Sequence, residues 1–279
     1  MAIGRPTPSP APSPPPGERE GKTEGEEGRA YRLFVVADQT ALAKEAAERC
    51  ARIAQEAIAR AGRFTIALSG GSTPKSLYSL LANEPYSTRV PWRMTHVFWG
   101  DERAVPPRDP DSNFGMAKAT LLDRVPIPAD RVHRIQAERP DLNVTAREYE
   151  AEIASVFAVP PTGDPPSFDL ILLGLGPDGH TASLFPHTEA VRETSRWVVP
   201  NHVPTLKTDR VTLTAPILNR AATVLFLVAG AEKASALQAV LEGPADPDRL
   251  PAQLIRPPAG RLIWLVDRAA AGMLTARAE

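Results

Sequence analysis

The stretch FDLILLGLG, Phe168–Gly176, carries one charged residue and is otherwise apolar or glycine. It is far shorter than the ~18 apolar residues of a membrane span. It also lacks the polar alternation of a strand with one wet face. It fits a central strand covered on both faces, the situation inside a parallel sheet flanked by helices. The rest of the chain agrees. YRLFVVAD (Tyr31–Asp38), FTIALS (Phe64–Ser69), THVFWGD (Thr95–Asp101), RVTLT, TVLFLVAG and RLIWLVD all read as strands. Between them lie helical patterns. TALAKEAAERCARIAQEAIARAG has Thr40 as a candidate cap and Gly62 as its stop, and KSLYSLLAN follows Pro74 at a first helical turn. SNFGMAKATLLDRV, DLNVTAREYEAEIASVF and AEKASALQAVLEG complete the set. Such alternation predicts an α/β fold, a mostly parallel sheet with helices on both faces.

The 279 residues suffice for a large core without staples. Residues 1–29 differ from the rest. They are rich in proline, glycine and charge, with almost nothing apolar to bury, and are read as a disordered arm. Residues 30–279 are read as a single α/β domain. The arm has no apolar core of a secretory signal, so the expected location is cytoplasmic. A formal net charge of −1 gives no global bias toward nucleic acid or an anionic membrane. Cys50 is the sole cysteine, which excludes an intramolecular disulfide. His96, His133, His187 and His202 have no metal-ligand spacing, and no metal site is expected.

Ligands of parallel sheets bind outside the carboxyl ends of the strands. The chemistry-bearing segments fall there. SGGSTP (Ser69–Pro74) joins a strand to a helix. Gly70 and Gly71 let the backbone approach a ligand, Ser72 and Thr73 add hydroxyls, and the helix start offers unpaired N–H groups. The implied ligand is a phosphate, and the plain alternative is a tight turn. The segment matches neither a P-loop nor a dinucleotide fingerprint. In GDER (Gly100–Arg103), Arg103 suits phosphate or carboxylate oxygens. Asp101 and Glu102 suit sugar hydroxyls or the steering of Arg103, unless all three are solvated loop charges. GLGPDGHTASLFP (Gly174–Pro186) delivers His180 after a Gly-Pro-Asp-Gly turn, to what reads as the start of a short helix. Asp178 stands two residues before it and can orient the imidazole. Lys233, after TVLFLVAG, offers a point charge or is a solvated lysine.

Together, LSGGSTPKSLYSLL, VFWGDERAVPPRDPDSNFGMAKATLL, FDLILLGLGPDGHTASLFP, RVTLTAPILNRAATVLFLVAG and Lys233 resemble the 6-phosphogluconolactonase family, in the same order from about Tyr31 to the C-terminus. The resemblance implies a modified Rossmann-like sheet, no cofactor, and hydrolysis of 6-phospho-D-glucono-1,5-lactone, the second step of the oxidative pentose phosphate route. It assigns phosphate recognition to Gly70, Gly71, Ser72, Arg103 and Lys233. It assigns the general base to His180, with Asp178 in the same turn. Arg210 also matches an arginine of the family, although VPTLKTD before it departs from the family's proline-rich approach. The arm 1–29 matches nothing in it.

In the implied mechanism His180 activates water, a helix N-terminus keeps its imidazole neutral, and no nucleophile is needed, Ser183 having no base assigned. Two alternatives stand beside it. A glucosamine-6-phosphate deaminase/isomerase shares the Asp-Gly-His turn, but continues to Asn-Glu-Pro where this chain has Leu184, Phe185 and Pro186. A non-catalytic sugar-phosphate sensor would need a DNA-binding module, for which no segment is spare.

Overall fold

A computed structural model of the chain describes residues 19–21 and 31–275. Ten strands and seven α-helices follow one another as β1 (Arg19–Gly21), β2 (Tyr31–Val36), α1 (Gln39–Ala61), β3 (Phe64–Leu68), α2 (Ser72–Leu81), α3 (Tyr86–Arg89), β4 (Thr95–Trp99), β5 (Asp101–Arg103), α4 (Asn113–Thr120), α5 (Leu142–Phe157), β6 (Leu170–Leu173), β7 (Val198–Val203), β8 (Thr208–Leu213), α6 (Ala215–Leu218), β9 (Thr223–Val228), α7 (Ala234–Glu242) and β10 (Arg261–Asp267).

The main sheet runs β1-β2-β10-β9-β6-β3-β4. All its pairs are parallel except β1 with β2. Every residue of β3, β6 and β9 is buried, which requires cover on both faces. Parallel pairing of β3, β6 and β9 then places the residues that follow each of them at one end of the sheet. The other end is closed by side chains. Asp169 accepts from the Thr65 N–H (2.8 Å) and hydroxyl (2.7 Å) and from Arg60 (2.5 Å), locking β6 beside β3. Among the described residues no helix is long and apolar enough to cross a membrane.

Three features differ from the sequence reading. The strand expected over Thr95–Asp101 ends at Trp99, and Asp101–Arg103 belongs to a separate antiparallel sheet, β5-β8-β7. Gly100 joins the two sheets: its N–H donates to Leu68 O of β3, and its carbonyl accepts from Leu213 N of β8, both at 2.8 Å. The cap of α1 is Asp38 rather than Thr40, its carboxylate accepting from Ala41 N at 2.8 Å. The expected stop at Gly62 is observed, with φ at 70° and its N–H donating to Ile58 O. Finally, within the segment read as a disordered arm, Arg19–Gly21 pairs with Tyr31–Leu33 as an edge strand, since an open strand edge accepts any extended backbone. The remainder of 1–29 lies outside the described residues.

Candidate active site

A cavity of about 190 Å³ opens at the carboxyl ends of the parallel strands. After β3 it is lined by Ser69, Gly70 and Gly71, after β6 by Gly174–Pro177 and His180, and after β9 by Lys233. The second sheet contributes Asp101 and Arg103, and α4 contributes Asn113. Two larger cavities, about 290 Å³ beside Trp264 and about 460 Å³ beside Phe114, are lined by no histidine. Convergent polar chemistry therefore selects the smaller one.

The His180 ring is fixed on two sides. Its Nδ1 lies 2.6 Å from Asp178 Oδ1. A carboxylate only accepts, so Nδ1 carries the hydrogen and the neutral ring keeps a lone pair on Nε2. Among the described residues Nε2 makes no hydrogen bond. Burial works to raise the Asp178 carboxyl, but the hydrogen bond and charge of His180 outweigh it and hold it below its ordinary range. Phe185 stacks on the imidazole with ring centroids 4.0 Å apart and 26° between planes. The turn admits this pair because residue 176 is glycine: a Cβ there would lie 2.0 Å from His180 Nδ1 and 2.6 Å from Asp178 Oδ1.

His180 does not begin a helix, as the sequence reading expected. The chain from Thr181 to Leu184 forms a tight turn, closed by Leu184 N–H donating to Thr181 O (2.9 Å), with Ala182 at φ 48°. The segment is tied to the second sheet instead, with Ser183 N–H donating to Thr212 Oγ1 (3.1 Å) and Asn201 Nδ2 donating to Ser183 O (2.8 Å). No helix dipole therefore points at the imidazole.

Around the glycine turn, Tyr78 of α2 reaches back to Ser69, accepting from its N–H (2.9 Å) and donating to its carbonyl (2.7 Å). This fixes the start of α2, where Gly71 takes φ 106° and no side chain caps the helix. The first N–H groups of α2 stay available to an anion. Ser72 is the first residue of this helix, and its side chain is not among the cavity lining.

The start of α4 is sealed. Glu102, 2% exposed, accepts from the N–H of Asn113 and Phe114 (both 2.7 Å), from Arg103 N–H (2.9 Å) and from the Ser112 hydroxyl (3.1 Å). Its carboxylate is spent on the helix and does not reach for a sugar. The capped helix holds Asn113 against the glycine turn, where a Cβ on Gly70 would fall 1.9 Å from Asn113 Oδ1. Asn113 Nδ2 donates to Asp101 O (2.9 Å), and Ser183 Oγ donates to Asp101 Oδ2 (2.6 Å).

Three cations sit near the cavity. Arg103 donates through Nη1 to Asp111 O (2.5 Å), and its buried Nε has no partner. Arg210 lies directly opposite Arg103 in the β5–β8 ladder but outside the cavity lining. Burial, then the charge of Arg103, draws it below the usual arginine range. Lys233 sits in the turn before α7 and, among the described residues, forms no ion pair. Like charges facing each other across strands are unfavourable until an anion joins them. The structure therefore gathers Gly70, Gly71, Asp101, Arg103, His180 and Lys233, backs His180 with Asp178, and leaves Ser72 and Arg210 at the margin. Asn113 and Tyr78 escaped the sequence reading, although both lie within the segments that carried the resemblance.

The family model described as glucosamine-6-phosphate isomerases/6-phosphogluconolactonase matches residues 37–264, and the chain belongs to that family. A Nostoc protein named 6-phosphogluconolactonase is 44% identical over 86% of this chain and 97% of its own length. Its Haemophilus influenzae namesake is 39% identical over 75% and 87%. The 6-phosphogluconolactonase of Trypanosoma cruzi superposes with a TM-score of 0.77 at 32% identity, covering 88% of this chain and 97% of that one. A monomeric glucosamine-6-phosphate deaminase, at 22% identity and a TM-score of 0.71, shares the fold.

Proposed function

We propose that this protein hydrolyses 6-phospho-D-glucono-1,5-lactone to 6-phosphogluconate, with His180 as general base. The observation that carries the reading is the single cavity in which an imidazole with a free Nε2 faces an uncapped helix start and the side chains of Arg103 and Lys233. The helix start and the two cations hold the phosphate. That remote binding energy fixes the lactone carbon beside the imidazole. His180 Nε2 takes a proton from water as the water oxygen bonds to C1. The tetrahedral oxyanion then collapses, the bond from C1 to the ring oxygen breaks, and the proton passes to that oxygen. Asp178 stays ionised and keeps the tautomer. Ser183 is 1% exposed, and its hydroxyl is committed to Asp101, so no acyl-enzyme is invoked.

Isomerisation of an amino sugar would need a carboxylate to open a ring hemiacetal. The position implied by the resemblance holds Phe185, whose ring lies on His180. The test is lactone hydrolysis by wild type and His180→Ala, with the uncatalysed rate subtracted. General-base catalysis is worth about 10²–10⁴-fold, so kcat falls on that scale while 6-phosphogluconate still binds. Near-wild-type kcat in the variant overturns the reading.

A further inference from the structure

We propose that Phe185 is the positioning residue of His180, holding the imidazole in the plane from which Nε2 faces the cavity; this rests on His180 being the base. A hydrogen bond at Nδ1 fixes one point of the ring. It leaves the imidazole free to swing about the line from Nδ1 to Asp178. A flat ring stacked at 4.0 Å removes that freedom. Phe185 can do this because it is itself held firmly.

Phe185 is 6% exposed. The Phe185 carbonyl accepts from the Thr188 hydroxyl (2.7 Å) and from Thr188 N–H (3.2 Å). The turn that carries it is tied at Thr181, whose hydroxyl donates to Gly174 O at the end of β6 (2.9 Å). Two residues of the second sheet hold the same turn: Thr212 Oγ1 accepts from Ser183 N–H (3.1 Å), and Asn201 Nδ2 donates to Ser183 O (2.8 Å). Asn201 also donates to the Thr188 hydroxyl (3.0 Å), so one amide secures both ends of the segment bearing Phe185. The second sheet thereby sets the angle of an imidazole that belongs to the first.

The experiment compares Phe185→Leu, Phe185→Tyr, His180→Asn and the Phe185→Leu/His180→Asn double variant, reading kcat and KM for 6-phosphogluconolactone. Leucine keeps apolar bulk but has no face. Loss of orientation costs up to about 10²-fold in rate, so Phe185→Leu lowers kcat by about 10–100-fold and leaves KM within about twofold. Phe185→Tyr restores most of kcat. At high enzyme concentration, Phe185→Leu adds no further loss in the His180→Asn background, because the residue acts only through the imidazole. Where Phe185→Leu does not fold, Phe185→Met serves the same comparison. Wild-type kcat in the leucine or methionine variant, or a loss that adds fully to that of His180→Asn, overturns the proposal. An active His180→Asn overturns the base reading instead, whatever Phe185 does.

Discussion

Two histidines, one at the carboxyl end of the main sheet and one along its β4 edge, have nearly the same supports and opposite fates. At the carboxyl end, His180 bonds a carboxylate through Nδ1 (2.6 Å to Asp178) and stacks on Phe185. Along the β4 edge, where its N–H donates to Val97 O, His133 bonds a carboxylate through Nδ1 (2.8 Å to Glu152) and stacks on Phe98 at 4.4 Å. They differ at the second nitrogen. His133 Nε2 lies 3.0 Å from His96 Nδ1, and His133 is 5% exposed. His180 lines the cavity, and among the described residues its Nε2 makes no hydrogen bond. A histidine–carboxylate couple on an aromatic ring is thus a way of fixing an imidazole. It becomes chemistry only where the other nitrogen is left unpaired beside a binding space.

The sharpest way to break this comparison is to make the same substitution at both histidines. His180→Gln lowers kcat by about 10²–10⁴-fold, since glutamine cannot take the proton, with little change in melting temperature. His133→Gln does the reverse. It leaves kcat within about twofold and costs about 1–3 kcal/mol of stability through buried groups left without partners, read by denaturant unfolding. A large kcat loss at His133 would mean that the two histidine sites are not separable.

The carboxylates extend the test. Asp178→Asn removes the group that fixes the tautomer and lowers kcat by up to about 10⁴-fold, while 6-phosphogluconate binding persists. Glu152→Gln, whose side chain is 40% exposed, changes stability by about 1 kcal/mol and leaves kcat alone. An unchanged kcat in Asp178→Asn would remove the carboxylate from the mechanism.

Arginines at the two ends of the main sheet differ in the same sense. Arg103 borders the cavity with an unpartnered Nε, whereas Arg60 is paired with Asp169 at the surface. Arg103→Ala weakens 6-phosphogluconate binding by about 10–150-fold, the equivalent of a lost charged hydrogen bond of roughly 1.5–3 kcal/mol, and reduces its advantage over gluconate. Arg60→Ala shifts stability by about 0–1 kcal/mol and binding not at all. Calorimetric titration with both ligands decides it, and equal affinity of wild type for gluconate and 6-phosphogluconate would refute phosphate as the handle.

The smallest effect is one of pH. Burial, followed by the charges of His133, Arg131 and Arg63 and opposed by Asp130, brings His96 down to about 4 from its ordinary 6.5. The unfolded chain therefore takes up this proton at higher pH than the folded one. The contribution of His96 is fully present above about pH 6.5 and is lost as pH falls toward 4. Melting temperature measured across that window falls less steeply in His96→Asn than in wild type. Parallel slopes would show that the histidine pair does not titrate in this way.

Much of this molecule is legible in its sequence, for local reasons. The apolar runs of β3, β6, β9 and β10 and the helical stretches between them specify a parallel sheet. Its connectivity then puts Gly70, Gly71, His180 and Lys233 at one end, and Asp178 and His180 are two residues apart in a glycine-shaped turn. The remainder depends on contacts between distant segments. Asp101–Arg103 and Val198–Val203 show no apolar run that marks a strand, because backbone pairing in the second sheet is blind to side-chain identity. Glu102 looked like a sugar ligand until α4, packed ten residues later in the chain, used up its oxygens. The same holds for the two imidazoles. His133 and His180 are alike in local support, and only the folded chain decides which keeps a free nitrogen, because β4 brings His96 to Nε2 of His133 while no described residue is brought to Nε2 of His180.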